Sequence, residues 1–110
     1  MTIDTYQKEA HKTSRNTSIG GIPYIYPLLG LAGETGEVAD KVKKLFRDHN
    51  GIPPSSFQDE ITKELGDILW YVSETCTQMG IDLNDVAKAN LKKLAQRKKT
   101  DKIRGDGDNR

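Results

Sequence analysis

Residues 57–79 read FQDEITKELGDILWYVSETCTQM, with apolar side chains recurring every three or four positions. That spacing is typical of an α-helix with one broad apolar face. The residues on this face are Ile61, Leu65, Ile68, Leu69, Val72, Cys76 and Met79. We therefore predict one long helix here, with Ser56 and Asp59 as its N-terminal cap and Gly80 at its end.

Three further segments have helical character. They run from about Ile3 to Thr17, from Pro27 to about Asp48, and from Leu83 to about Lys99. Loops containing Gly and Pro, 19–27 and 50–56, separate the first three helices. Asp82 and Asp85 form the predicted cap of the fourth helix, and 100–110 is predicted to be a flexible tail. The fold class is therefore all-α, a four-helix bundle within a single domain covering 1–110.

The length and composition limit the class of protein. The chain has 110 residues, of which 35 % are hydrophobic and 30 % charged, as in a small soluble helical domain. A helical core this small is often completed by self-association. We find no signal peptide and no apolar run of roughly 20 residues for a membrane span. The single cysteine, Cys76, is interpreted as a buried reduced thiol. The expected compartment is the cytoplasm.

Charge is unevenly distributed despite a net charge of +1. The segment 92–110 is basic, and the middle of the chain is locally acidic. A basic end suits nucleic acid or a phosphorylated small molecule. It equally suits a solvated helix end, where cations complement the helix dipole. Charge alone leaves these alternatives open.

The second predicted helix contains Gly30, Gly33 and Gly36. Each glycine inside a helix costs about 1 kcal/mol relative to alanine, so three of them need a physical reason. One interpretation is that the helix begins only after Gly36. The interpretation we favour is that another backbone or a ligand comes close to this face.

Two pairs of acidic residues follow the same spacing. Glu34 and Glu37 lie three positions apart on the second helix, and Glu64 and Asp67 repeat this on the third. If the two helices are antiparallel, four carboxylates converge and require cations or raised pKa values. Oxygen ligands favour Mg²⁺, or Mn²⁺ in its place. Such pairs are also common on solvated helix faces, and spacing alone does not separate the two interpretations.

The motifs that contain these acids resemble a known family. The stretches 30–38 (GLAGETGEV), 64–71 (ELGDILWY), 89–97 (ANLKKLAQR) and 107–110 (GDNR) are similar to MazG-like nucleoside triphosphate pyrophosphohydrolases. The resemblance covers the chain from about Tyr6 onward, in the short single-domain form. It implies Mg²⁺-dependent hydrolysis of a nucleoside triphosphate to the monophosphate and pyrophosphate. It also implies a homodimer or homotetramer with a shared helical core.

The resemblance implies roles for individual residues. Glu34, Glu37, Glu64 and Asp67 would bind Mg²⁺ and act in catalysis. Asn90, Lys93 and Arg97 would reach the triphosphate, Tyr71 the phosphates or sugar, and Lys41 and Lys44 phosphate. Trp70 is either a core residue or a platform on which the base stacks. Likewise, Tyr6, Tyr24 and Tyr26 either pack in the fold or contact the base. The base and sugar preference stays open.

Three classes of function compete at this point. A metal-dependent pyrophosphohydrolase explains the acidic motifs and is the hypothesis we favour. A nucleic-acid-binding module would use the basic tail, but the acidic cluster would then lie close to the bound strand. A non-catalytic dimerisation bundle would tolerate loss of all four carboxylates.

Overall fold

A computed structural model describes residues 1–100 and 104–108. Within these residues the chain forms four helices and no strand. They are α1 (Ile3–His11), α2 (Ile25–His49), α3 (Phe57–Gln78) and α4 (Leu83–Lys99). The predicted all-α class is therefore confirmed.

The helical hairpin of α2 and α3 is the centre of the fold. Asn50 and Gly51 adopt left-handed backbone conformations, with φ of 52° and 77°, and the N–H of Gly51 donates to the Leu45 carbonyl at 3.1 Å. This ends α2 sharply, so α3 returns along it. α2 makes its helix contacts with α3, whereas α4 contacts α1 and α3 in the described part of the chain.

The first helix is shorter than predicted. It ends at His11 and not near Thr17. The Thr13 hydroxyl donates to the carbonyl of Ala10 at 2.7 Å, and Asn16 has a φ of 51°. A side chain that takes a helix-end carbonyl competes with further helical turns. The residues after His11 therefore form a loop.

The second helix is longer than it would be if it began only after Gly36. α2 begins at Ile25, so the interpretation that it starts only after Gly36 is wrong. Pro27 lies in its first turn, where a missing backbone N–H has no helical partner to lose, and its ring is buried. α2 therefore carries all three of the glycines as helical residues.

The predicted side-chain caps are not made. Neither Ser56 nor Asp82 forms a side-chain cap hydrogen bond. The first N–H of α4, at Leu83, instead donates to the Gln7 amide oxygen at 2.8 Å, and the Gln7 amide nitrogen donates to the Ile81 carbonyl at 2.9 Å. A residue of α1 thus satisfies a free backbone group at the start of α4, which ties the two helices together.

The apolar core of one chain is small. The buried apolar residues are Ala10, Pro27, Cys76 and Leu83 among those described. Large apolar side chains on all four helices remain exposed, including Leu29 (61 %), Phe46 (67 %) and Leu91 (66 %). Cys76 is buried as predicted, and burial raises the pKa of its thiol. A single chain therefore leaves much of its apolar surface in contact with water.

The C-terminal tail is described in part. Residues 104–108 form turns, while 101–103 and 109–110, which include Asn109 and Arg110 of the family-like motif, lie outside the described residues. The predicted flexibility of 100–110 stays a prediction. No helix in the described ranges is both long and apolar enough to cross a membrane.

Candidate metal centre

Three acidic side chains meet between α2 and α3. Glu34 comes from α2, and Glu64 and Asp67 come from α3. One carboxylate oxygen of each lies within 4.8 Å of the other two. The i,i+3 spacing places Glu64 and Asp67 on one face of α3, and the return of α3 along α2 brings Glu34 opposite them. The arrangement could hold a divalent cation with oxygen ligands.

The electrostatics of this cluster favour an added positive charge. A hydrogen bond with Glu64 raises the pKa of Glu34, and burial and the charges of Asp67 and Glu64 raise it further. In the absence of a cation, a proton at Glu34 therefore relieves the repulsion. Lys41 adds a weak contact, its Nζ lying 3.7 Å from a Glu64 oxygen.

The fourth predicted ligand, Glu37, is not part of this trio. It is exposed one turn further along α2 and lines a neighbouring cavity of about 280 Å³ with Lys44 and Glu60. Its negative charge still contributes to the raised pKa of Glu34. A direct role for Glu37 in metal binding stays a prediction.

Lys44 is engaged by an acid that the sequence analysis did not consider. Its Nζ lies 2.8 Å from Asp40, and Lys43 lies 2.9 Å from the same carboxylate. Hydrogen bonds from Lys44 and Lys43 lower the pKa of Asp40 to about 2. Lys44 therefore lies at the cavity that Glu37 also lines, and not at the trio.

An aromatic pair continues the acidic site along α3. Trp70 and Tyr71 have ring centroids 5.1 Å apart and perpendicular planes. Both line a cleft of about 420 Å³ together with Thr13, Glu34 and Asp67. Burial, followed by the proximity of Tyr26 and Glu34, raises the pKa of Tyr71, so its hydroxyl stays protonated and can donate. This is a concave site with acids at one end and aromatic walls.

One of the three glycines explains how Tyr71 fits. A Cβ at Gly30 would overlap the Tyr71 ring, whereas a Cβ at Gly33 or Gly36 would meet no heavy atom within 4 Å. The group that approaches α2 at Gly30 is thus an aromatic side chain, and not the backbone or ligand that the sequence analysis expected. For Gly33 and Gly36 the described residues supply no such reason.

The predicted phosphate-binding residues of α4 lie elsewhere. Lys93 Nζ is 2.9 Å from Asp108, and buried Arg97 donates to the Asp108 carbonyl at 3.0 Å and contacts its carboxylate at 3.3 Å. Asn90 is exposed. Since α4 does not contact α2, the structure does not bring these three residues to Glu34 within one chain.

Sequence reasoning missed a buried polar network next to the aromatic pair. Glu74 is 2 % exposed and accepts hydrogen bonds from His11 at 3.0 Å and from Gln78 at 2.7 Å. A signal was present, because Glu64, Asp67, Tyr71, Glu74 and Gln78 follow an alternating spacing of three and four. That spacing places them along one stripe of α3.

Residues 27–101 match the family model of the MazG nucleotide pyrophosphohydrolase domain. The chain belongs to this family, which confirms the resemblance drawn from its motifs. Gene 37 protein of Mycobacterium phage L5 is 40 % identical over 114 residues, covering 100 % of each chain. No solved structure was found to match the chain.

The contrast between Gly30 and Gly33 gives a stability test. We expect Gly30→Ala to destabilise the fold by about 1–3 kcal/mol, because the added methyl group displaces the Tyr71 ring. Gly33→Ala is the matched control and should be neutral or stabilising by up to about 1 kcal/mol through helix propensity. Urea unfolding measures both, and equal effects would contradict the assigned role of Gly30.

The raised pKa of Glu34 gives a pH test in EDTA. Folding favours the protonated form of Glu34. The stability that this proton adds to the folded protein is complete below the usual pKa of 4.5 and is lost as pH rises through the raised pKa of the folded state. We expect the free energy of unfolding to fall over this range, and Glu34→Gln to remove the fall. Glu9→Gln, on the exposed side of α1, should keep it. If the free energies of unfolding of wild type and Glu34→Gln changed with pH in parallel, the proton assigned to Glu34 would be contradicted.

Proposed function

We propose that this protein hydrolyses a nucleoside triphosphate to its monophosphate and pyrophosphate, with Mg²⁺ held by Glu34, Glu64 and Asp67. The observation that carries the proposal is the meeting of these carboxylates beside an aromatic cleft, in a chain of the MazG family. Family membership supports hydrolysis of a nucleotide. The metal, the bond broken and the substrate are our inferences.

The residues of the trio fit a hard divalent cation. All three offer carboxylate oxygens, and the described residues bring no histidine or cysteine into the cluster, which favours Mg²⁺ or Mn²⁺ over zinc. The raised pKa of Glu34 indicates that the cluster gains from positive charge. Bound Mg²⁺ would neutralise phosphate charge and lower the pKa of a water molecule.

The protein side chains would position the substrate and handle the proton. The carboxylate of Glu34, once ionised, can accept a proton from the attacking water, and Glu37 is the second candidate for this task. The Tyr71 hydroxyl, kept protonated by its surroundings, can donate to a phosphate oxygen. Lys41, already near Glu64, adds a positive charge at the same end of the cleft.

The roles of Asn90, Lys93 and Arg97 in binding the triphosphate remain part of the proposal. In one chain, Lys93 and Arg97 are paired with Asp108. A triphosphate carries more negative charge than one carboxylate and would compete with Asp108 for both cations. Contact with substrate would follow from that exchange, or from the position of α4 in an oligomer.

We also propose that two or more copies associate. The exposed apolar side chains include Leu28, Leu29, Val42, Phe46, Leu65, Leu69, Leu91 and Leu94. Their number exceeds the buried apolar residues of one chain, as expected where a core is shared between subunits. The dimer or tetramer implied by the family resemblance would cover them.

Activity tests the catalytic proposal directly. We expect pyrophosphate release from at least one member of a panel of NTPs and dNTPs with Mg²⁺, and none in EDTA. Glu64→Gln and Asp67→Asn should each lower kcat by about 100-fold or more, because each removes a charged ligand. Asp59→Asn, exposed at the start of the same helix, is the matched control. Undiminished turnover by Asp67→Asn, or no turnover across the panel, would contradict the proposal.

Light scattering tests the oligomer. We expect a mass at least twice that of one chain, with a Tm that rises with protein concentration because assembly stabilises the folded state. A monomer with a concentration-independent Tm would show that one chain is stable without a partner.

A further inference from the structure

A further cavity, distinct from the one lined by Lys44, adjoins the candidate site at its aromatic pair, Trp70 and Tyr71. It has a volume of about 200 Å³ and is lined in part by Thr13, Trp70 and Tyr71. The same three residues line the cleft that contains Glu34 and Asp67. The two spaces therefore adjoin at these side chains.

The walls of this cavity suit a flat ring. The Trp70 indole N–H donates to the Thr13 hydroxyl at 2.8 Å and to the Ala10 carbonyl at 3.2 Å. These bonds fix the orientation of the indole, and Tyr71 stands perpendicular to it. Tyr26 also lines the cavity. Fixed aromatic faces bind planar rings with little loss of side-chain freedom.

The polar end of the cavity offers acceptors. Glu74 and Gln78 both line it. The Gln78 amide nitrogen uses its two hydrogens on Asn16 at 3.0 Å and Glu74 at 2.7 Å, which leaves the amide oxygen to accept. Glu74 Oε2 is contacted only by His11, at 3.2 Å, in the described part of the chain. A carboxylate has about four acceptor positions, so Glu74 retains capacity.

The spacing along α3 matches the length of a nucleotide. Asp67 and Glu74 lie seven residues apart on the same stripe, which corresponds to about 10 Å along a helix axis. A sugar and its phosphates can bridge that distance. A nucleotide with its phosphates at the acidic trio would therefore place its base against the aromatic walls, with an edge toward Glu74 and Gln78.

We propose that this cavity is the base subsite and that it selects guanine through Glu74 and Gln78. The inference rests on the proposed function. Guanine is the common base whose edge presents a ring N–H and an amino group side by side, matching two acceptors. Adenine and cytosine present a ring nitrogen acceptor beside the amino group, and thymine and uracil present carbonyls beside their N–H. Those edges would place lone pairs against the carboxylate.

Trp70 permits a binding test that needs no turnover, because it is the single tryptophan of the chain. The wild-type protein with Mg²⁺ is titrated with dGMP, dIMP, dAMP, dCMP and dTMP, none of which it can hydrolyse to pyrophosphate, while tryptophan fluorescence is followed. We expect saturable quenching by dGMP. Binding of dIMP, which lacks only the amino group, should be about 10- to 100-fold weaker, since a carboxylate loses one hydrogen bond.

A variant assigns the selectivity to Glu74. Glu74→Gln keeps the shape but replaces the carboxylate, so it should bind dGMP and dIMP with similar affinity. Glu9→Gln, exposed on α1, should retain the wild-type ratio. Circular dichroism verifies folding of both variants, and the dGMP to dIMP ratio of the wild type tests the base preference even if Glu74→Gln fails to fold.

The two proposals fail in distinguishable ways. Turnover of several triphosphates with equal kcat/KM for dGTP and dITP would overturn the guanine subsite and leave the hydrolase intact. Selective quenching by dGMP without turnover of any triphosphate would support the subsite and overturn the hydrolase. Equal quenching by all five monophosphates would overturn the subsite on binding evidence alone.

Discussion

The repulsion among Glu34, Glu64 and Asp67 is the constraint on which the rest of the structure depends. Three carboxylates within 4.8 Å of one another would drive α2 and α3 apart unless compensated. The proton favoured at Glu34 and the nearby Lys41 supply part of the compensation. The connection between α2 and α3 also opposes the repulsion, because the turn at Asn50 and Gly51 returns α3 along α2. The cluster is thus held ready for a cation at a cost in stability.

Much of this arrangement could be predicted from local patterns. The helical period identified α2, α3 and α4, and the two acidic pairs at i,i+3 identified the face on which the trio forms. Local patterns failed where distant residues decide. Trp70 donates to the Ala10 carbonyl and to the Thr13 hydroxyl at the end of α1, and the first N–H of α4 donates to the amide oxygen of Gln7. Neither partner is near in sequence, so no cap motif could reveal them.

The same distinction separates Glu37 from Glu74. Glu37 has the same i,i+3 spacing as Glu64 and Asp67, yet it is exposed and lines the cavity that Lys44 also lines. Glu74 shares the alternating spacing of Glu64 and Asp67, but as one acid between polar neighbours it resembles a solvated residue. Its burial depends on His11, contributed by another helix. Spacing predicts which face a residue shares, while burial depends on what the fold places opposite.

One stripe of α3 unites the site. In the proposed function Glu64 and Asp67 would supply metal-binding oxygens, Tyr71 a donor and an aromatic wall, and Glu74 and Gln78 acceptors. All five lie on α3, so metal, phosphates and base would be positioned relative to one another by one helix. Gly30 allows α2 to approach this stripe at Tyr71, where the acidic and aromatic halves meet. Base selection and phosphate chemistry would therefore share one rigid support, and a shift of α3 would disturb both together.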